Sequence, residues 1–264
     1  MHESAKPQLF SPALADVPEL CFSEGRYQIR LATTQADVRA ALRLRYQVFN
    51  LELGEGLASS KLTGEDKDAF DDSCHHLIVE HAGQVVGTYR MQTYESARSH
   101  QGYYSDGEYH LDDLGQGLLK NSVEIGRACV AKEHRKQKVL FGLWRGLGRY
   151  LQLQGKRYLF GCCSLTSQDT AEGREVMAWL RQQNLVWPGP IARARPSNSC
   201  FGPAPEATAV AAVKLPTLFG TYMRFGVRVA SDPAIDREFK TIDFLVVMDT
   251  DSIPALVRRM FFTN

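Results

Sequence analysis

Residues 122–163 read SVEIGRACV, AKEHRKQKVLFGLWRGLGRYLQLQ, GKRYLFGCC. The first piece, Ser122–Val130, is rich in residues that suit a pleated surface and reads as a strand. The second is helical over 132–154: Val139, Leu140, Leu143, Trp144, Leu147, Tyr150 and Leu151 recur at helical steps and make one apolar face. The third, 158–163, is a short, wholly apolar run, the pattern of a strand covered on both faces. Strand, long helix and buried strand form a β-α-β unit, which points to an α/β or α+β domain, with α/β the class expected.

Upstream, 76–80 (HLIVE) and 84–92 (QVVGTYRMQ) read as a hairpin turning at 81–83. Thr34 opens a helix carrying Val38, Ala41, Leu42, Val48 and Phe49 on its apolar face. A weakly alternating stretch, 26–32, is a first strand. Residues 54–72 are a polar, acidic loop, and 95–122 a longer excursion with a short helix near 111–115. Downstream, Asp169 caps a helix running to about residue 183. The segment 184–206 holds Pro188, Pro190, Pro196, Pro203 and Pro205 and reads as loop, with late strands near 227–230 and 244–248. The expected organisation is an N-terminal arm (1–25), one domain (26–250) and an amphipathic tail (251–264) without internal repeats.

The chain has 264 residues, enough for a substantial core, with 44% hydrophobic and 23% charged residues. That excludes wholesale disorder, collagen-like repeats and a coiled coil. Six cysteines are too sparse for a disulfide scaffold, so the expected compartment is the cytosol, with reduced thiols. No apolar run approaches the ~18–20 residues of a membrane span, and residues 1–20 carry charges and prolines in place of a signal sequence. Net charge is +1, yet residues 126–160 hold nine Lys/Arg against Glu133 alone. Such a stripe is either a solvated helix face or a surface for an acidic partner, a phosphate or a membrane. Nucleic acid is not an expected partner.

Arg45 falls on the apolar face of the first helix. An arginine aimed inward must meet an acid, a carbonyl or a ligand, unless it snorkels at the edge. Cys74-His75-His76 is a poor metal motif, because neighbours in a strand point to opposite faces and no second pair stands at zinc spacing. No metal site is expected. Cys162-Cys163 reads as packing. No serine-hydrolase elbow, P-loop or dinucleotide fingerprint is present.

The β-α-β unit after an antiparallel hairpin is similar to the GNAT acyltransferase fold. Its motifs stand in a specific order: Arg45-Tyr-Gln-Val-Phe49, Asp68-Ala-Phe-Asp71, Val86-Gly-Thr-Tyr-Arg90, Glu124-Ile-Gly-Arg127. That order resembles the acyl-homoserine-lactone synthases and the N-acyl amino acid synthases. With YLFGCCS and LPTLFGTYMRFGVRVASDPAIDREF added, the resemblance spans about residues 40–245 and is closer to the ornithine lipid N-acyltransferases, sometimes labelled hemolysin-like.

The resemblance implies a GNAT-like fold, a mixed central sheet with flanking helices and splayed central strands, with the acyl thioester in the gap. It implies transfer of a (3-hydroxy)fatty acyl group from acyl carrier protein to the α-amine of ornithine, giving a lyso-ornithine lipid. Alternatives are another N-acyl amino acid, an acyl signal, or a non-catalytic membrane-active protein. A bulge at Gly126 would bring Glu124 and Arg127 to one site, since regular strand spacing sets them on opposite faces. Glu124 is the expected base, or else a glutamate paired to Arg127. Arg90 or Arg127 is the expected carboxylate ligand. Asp68 and Asp71 either hold the distal ammonium or pair with Arg45 and Arg90 as scaffold.

The segment that in acetyl-CoA enzymes is a Gly-rich phosphate turn is here EHRKQKVL, residues 133–140, without glycine. Lys132, Arg135, Lys136 and Lys138 are therefore expected to meet the phosphopantetheine and the acidic surface of acyl carrier protein, which serves as donor with no bound cofactor. Cations at a helix N-terminus oppose the helix dipole, which disfavours a purely stabilising role. Residues 215–223 and the tail are candidates for peripheral contact with the inner membrane, or for a helix packed on the domain.

Overall fold

The computed structural model describes residue 14, residues 16–201 and residues 213–262. Nine strands form one sheet: β1 Cys21–Glu24, β2 Tyr27–Leu31, β3 His75–His81, β4 Gln84–Thr93, β5 Ser122–Val130, β6 Tyr158–Leu165, β7 Arg228–Val229, β8 Ala234–Asp236 and β9 Thr241–Asp249. The α-helices are α1 Gln35–Arg45, α2 Ser60–Thr63, α3 Tyr94–Ser99, α4 Gln116–Lys120, α5 Gln137–Leu153, α6 Thr170–Gln182, α7 Thr217–Arg224 and α8 Ala255–Phe261. The strand order is β1-β2-β3-β4-β5-β6-β9-β7, with β8 also on β9. Among the described strands only β5 and β6 run parallel; their connection is α5, the crossover such a pair requires. This is the mixed α/β sheet with flanking helices that the sequence predicted.

Helix α5 lies on the sheet through Val139, Leu143, Trp144, Leu147, Tyr150 and Leu151, all buried. It starts at Gln137, five residues later than expected, because Lys132–His134 form a separate 3-10 turn. Thr34 and Asp169 cap α1 and α6 as predicted, each side chain accepting a first-turn N–H. Helix α1 runs on into a π-helical segment, Tyr46–Glu52.

The expected division into arm, domain and tail is too coarse. Residues 21–24 of the arm form β1, paired to β2 across a turn at Gly25, whose φ is +62°. The tail folds as α8 and buries Val257, Phe261 and Phe262 in the same core as α5. A side chain on Gly148 of α5 would sit 2.0 Å from the Phe261 carbonyl, so the two helices touch backbone to backbone. No described helix is long and apolar enough to cross a membrane.

The sheet opens in its middle. β5 and β6 pair only at Ser122–Tyr158, Val123–Leu159 and Glu124–Phe160, yet β5 continues to Val130 and β6 to Leu165. Gly161 stands at the parting point, where a Cβ would meet the Ile125 carbonyl oxygen at 2.1 Å. The predicted bulge is present, displaced from Gly126. Arg90 pairs with Gly126 and Thr88 with Cys129, so Arg127 and Ala128 together oppose Tyr89. Arg127, not the glycine, takes the left-handed conformation, with φ +51°. A non-glycine residue there is strained by about 1–2 kcal/mol and is held in place by its surroundings.

Candidate active site

The gap between β5 and β6 is a cleft of about 350 Å³. Its apolar end is walled by Trp144, Leu159, Phe219, Tyr222, Val246 and Met248. Trp144 and Leu159 are both buried and in contact with the cleft. Phe219 and Tyr222 come from α7, which turns Phe219, Tyr222 and Met223 inward and leaves Leu218 exposed. The polar end is lined by Arg90, Ser105, Glu124, Arg127, Asp236 and Asp243.

Glu124 stands at the apex, on the last residue pair before the strands part. Its register partner on β4 is Gln92, two residues from Arg90, so Glu124 and Arg90 share a sheet face. Glu124 is not paired to Arg127. Its Oε2 accepts the Tyr104 N–H at 2.8 Å, and its Oε1 accepts the Ser105 N–H at 2.8 Å and the Ser105 hydroxyl at 2.6 Å. Burial pushes the carboxyl above its ordinary value, and those hydrogen bonds restrain the rise.

Beside the cleft lies a closed ion network. Arg45 donates to Asp66 (2.8 Å) and Asp71 (2.6 Å); Arg90 to Asp68 (2.6 Å) and Asp71 (3.1 Å); Arg127 to Asp68 (3.0 Å). Arg127 Nε lies 3.5 Å from Asp66. Three arginines thus meet three aspartates. His76, beside Asp71, is pushed down to about 4 by burial and adds no charge near neutral pH. Arg45 is 0% and Asp71 2% exposed, and neither lines the cleft. The question of where the Arg45 side chain goes is answered by acids. The guanidinium beside it holds the Asp71 carboxyl far below the ordinary range against its burial.

Arg90 and Arg127 are the members of this network that reach the cleft. Arg127 is clamped between the rings of Tyr104 and Phe239, 4.7 and 4.3 Å from its guanidinium carbon. Asp66, Tyr104, Ser105 and Phe239 had no role in the sequence reading. Asp66 carried a faint signal, two residues before Asp68; the others reach the site only through tertiary contact.

Lys132, Arg135, Lys136 and Lys138 are exposed around the start of α5, beyond the end of β5. Lys136 is the N-cap residue without a side-chain cap, and the first turn holds no acid. Arg135 is partly satisfied by Glu52, through a 2.7 Å contact among others. Further along the basic stripe, Arg145 pairs with Glu24, Lys156 with Glu95 and Arg157 with Asp249. Of the stripe's cations, Lys132, Lys136, Lys138 and Arg149 make no ion pair among the described residues, and three of the four stand at the start of α5.

Cys74, His75 and His76 do not converge: His75 contacts the Tyr150 hydroxyl at 2.8 Å and His76 the Asp71 carbonyl at 3.3 Å. All six cysteines are free, and burial pushes the Cys162 and Cys163 thiols well up, away from any nucleophilic thiolate. Glu108, Cys162 and Asp243, a grouping that sequence spacing gave no hint of, bring ligand atoms within 4.8 Å of one another.

The acetyltransferase (GNAT) domain family matches residues 44–145. The L-ornithine N(alpha)-acyltransferase of Rhodobacter capsulatus is 33% identical over 253 residues, 90% of this chain and 95% of its own. That of Brucella abortus is 29% identical over 245 residues, 88% of this chain and 87% of its own. Among solved structures, FeeM, an N-acyl amino acid synthase from uncultured soil microbes, superposes with a TM-score of 0.55 at 10% identity, covering 86% of this chain and 94% of its own. The AHL synthase LasI gives 0.51 at 12% identity, covering 93% and 96%. These two share the GNAT-like fold.

Proposed function

The chain belongs to the L-ornithine N(alpha)-acyltransferase family, and we propose that it transfers a (3-hydroxy)fatty acyl group from acyl carrier protein to the α-amine of ornithine. The product is a lyso-ornithine lipid. The observation that carries this reading is the splayed cleft, apolar at one end and charged at the other, with Glu124 at the apex.

The acyl chain lies among Trp144, Phe219 and Tyr222, and the thioester sits where β5 leaves β6. Arg127, backed by Arg90, holds the α-carboxylate. Arginine suits a carboxylate because its planar donors match both oxygens. Glu124 takes a proton from the α-ammonium through Oε2, which carries a single hydrogen bond; its raised basicity suits this task. The amine then attacks the thioester carbon. A backbone N–H of the stretch 128–130 steadies the oxyanion. The C–N bond forms, the attacking nitrogen releases its second proton to solvent, the C–S bond breaks, and the thiol departs with the proton Glu124 had taken. Lys132, Lys136 and Lys138, helped by Arg135, meet the phosphodiester and acidic face of the carrier. Arg45, Asp66, Asp68 and Asp71 form the scaffold that fixes Arg90 and Arg127. The lipid product leaves toward the inner membrane past Leu218, 40% exposed at the cleft rim.

The test is mass spectrometry of the product formed from a 3-hydroxyacyl carrier protein and a panel of amino acids. N-acyl-ornithine is expected. N-acylation of a different amino acid alone would keep the chemistry and reject the acceptor.

A further inference from the structure

Two groups of buried charge send members into the cleft lining, Arg90 and Arg127 from one and Asp236 and Asp243 from the other, and they differ in one respect. The Arg45–Arg90–Arg127 network contains its own counter-ions. The second group, Glu108, Asp236 and Asp243, contains acids only. They are 6%, 9% and 5% exposed, and none makes an ion pair among the described residues. Glu108 Oε2 and Asp243 Oδ1 are fully buried without a hydrogen-bond partner. A buried acid left unpaired is costly, and two side by side more so.

The geometry points to this acid pocket as the subsite for the distal ammonium of the acceptor, which makes it the element that selects a diamino acid over neutral α-amino acids. This rests on the acyltransferase reading above and adds to it what recognises the second amine. Asp236 and Asp243 line the same cleft as Glu124 and Arg127. Asp243 lies opposite Ser164 on β6, on the far side of the splay from β5. An acceptor whose carboxylate meets Arg127 thus has its side chain directed across the gap. The ligand atoms of Glu108 and Asp243 are within 4.8 Å, close enough to share one ammonium, whose three N–H groups suit the orphaned oxygens. Asp236 is fixed by the Glu238 and Phe239 N–H groups, at 2.7 and 2.9 Å on its Oδ1. Phe239 in turn clamps Arg127, so one turn ties the carboxylate ligand to the ammonium pocket. Burial and mutual repulsion raise Glu108 well above its ordinary value and Asp243 to about 6, as expected of acids awaiting a cation. Asp68 and Asp71, the sequence candidates for this role, have their charge matched already by arginine.

The experiment compares ornithine with norvaline, which has the same carbon chain without the distal amine. Wild type, Asp243→Asn and Glu108→Gln are each assayed for N-acyl product. Wild type is expected to favour ornithine by about 100-fold in kcat/KM, carried by KM, because the site would leave buried acids unpaired around norvaline. Each variant is expected to lose most of that preference through a raised ornithine KM. Calorimetric titration of wild type with both amino acids gives a second readout that needs no variant: ornithine should bind and norvaline bind far more weakly. Equal use of both by wild type, or variants with an unchanged ornithine KM, would overturn the subsite while leaving the acyltransferase intact. No acylation of ornithine by wild type would overturn the reading beneath it as well. Loss of ornithine turnover in EDTA, restored by zinc, would assign Glu108, Cys162 and Asp243 to a metal and overturn the proposal.

Discussion

Ser105 donates twice to one oxygen of Glu124, from its backbone N–H at 2.8 Å and its hydroxyl at 2.6 Å. Hydrogen bonds to a carboxylate favour its charged form and lower its pKa, while burial raises it. Ser105→Ala removes the hydroxyl alone. The Glu124 carboxyl then rises further, and the acidic limb of the kcat/KM profile should move to higher pH. A profile identical to wild type would show that the titrating base is another group.

The Asp71–Arg45 pair is a stability element. Asp71→Asn leaves Arg45 short of a counter-ion in a site 0% exposed, and should cost about 3–5 kcal/mol in urea unfolding. The pH dependence has a fixed sign. Asp68 and Asp71 are held below their unfolded pKa, so their contribution is present above about pH 4 and is lost as pH falls further. Asp71→Asn should therefore flatten the acid limb of the stability curve. An unchanged acid limb would remove the network from the stability account.

Asp243 works in the opposite direction. Its folded pKa, about 6, lies above the unfolded value, so the folded state binds more protons between about pH 4 and 6. Stability from this group falls as pH rises through that window and is level above it. Asp243→Asn should remove this slope and match or exceed wild-type stability at pH 8. Parallel curves for the two proteins would show that Asp243 titrates normally.

Gly161 allows the strands to part. Gly161→Ala places a methyl within 2.1 Å of the Ile125 carbonyl, where backbone must move. The expected cost is about 1–3 kcal/mol of stability, together with loss of turnover as the cleft apex shifts. A fully active, fully stable variant would mean the splay has more play than its geometry indicates.

The positive charge at the α5 N-terminus makes a kinetic prediction. Reversal at Lys132 and Lys136 should raise the KM for acyl carrier protein and flatten its salt dependence, with kcat little affected. An unaltered KM would leave the lysines as a solvated surface.

Much of the framework was legible. β5 was read with its observed ends because its residues suit a strand, and α5 was read from one periodic apolar face. Arg45 could be flagged as needing a partner, because an arginine on an apolar face has few alternatives. Its second acid, Asp66, was missed: a loop aspartate gives no sign of which residue it meets. Gly126 was preferred for the bulge on backbone freedom, yet Arg127 takes the left-handed site, where aromatic clamps and Asp68 fix it. The Glu108–Asp243 pair was invisible for a different reason. The two stand 135 positions apart in sequence, with no spacing rule linking them, and only the return of β9 to β6 brings Asp243 to the cleft.

In the proposed mechanism Glu124, at the apex of the splay, activates the α-amine of ornithine for attack on an acyl-carrier thioester. Its most direct test is ornithine-dependent thiol release from a 3-hydroxyacyl carrier protein, measured for wild type and Glu124→Gln in parallel. Wild type should release thiol only with the amine present, and Glu124→Gln should fall about 10²–10⁴-fold in kcat while remaining folded. A folded Glu124→Gln enzyme that releases thiol at the wild-type rate would contradict the account.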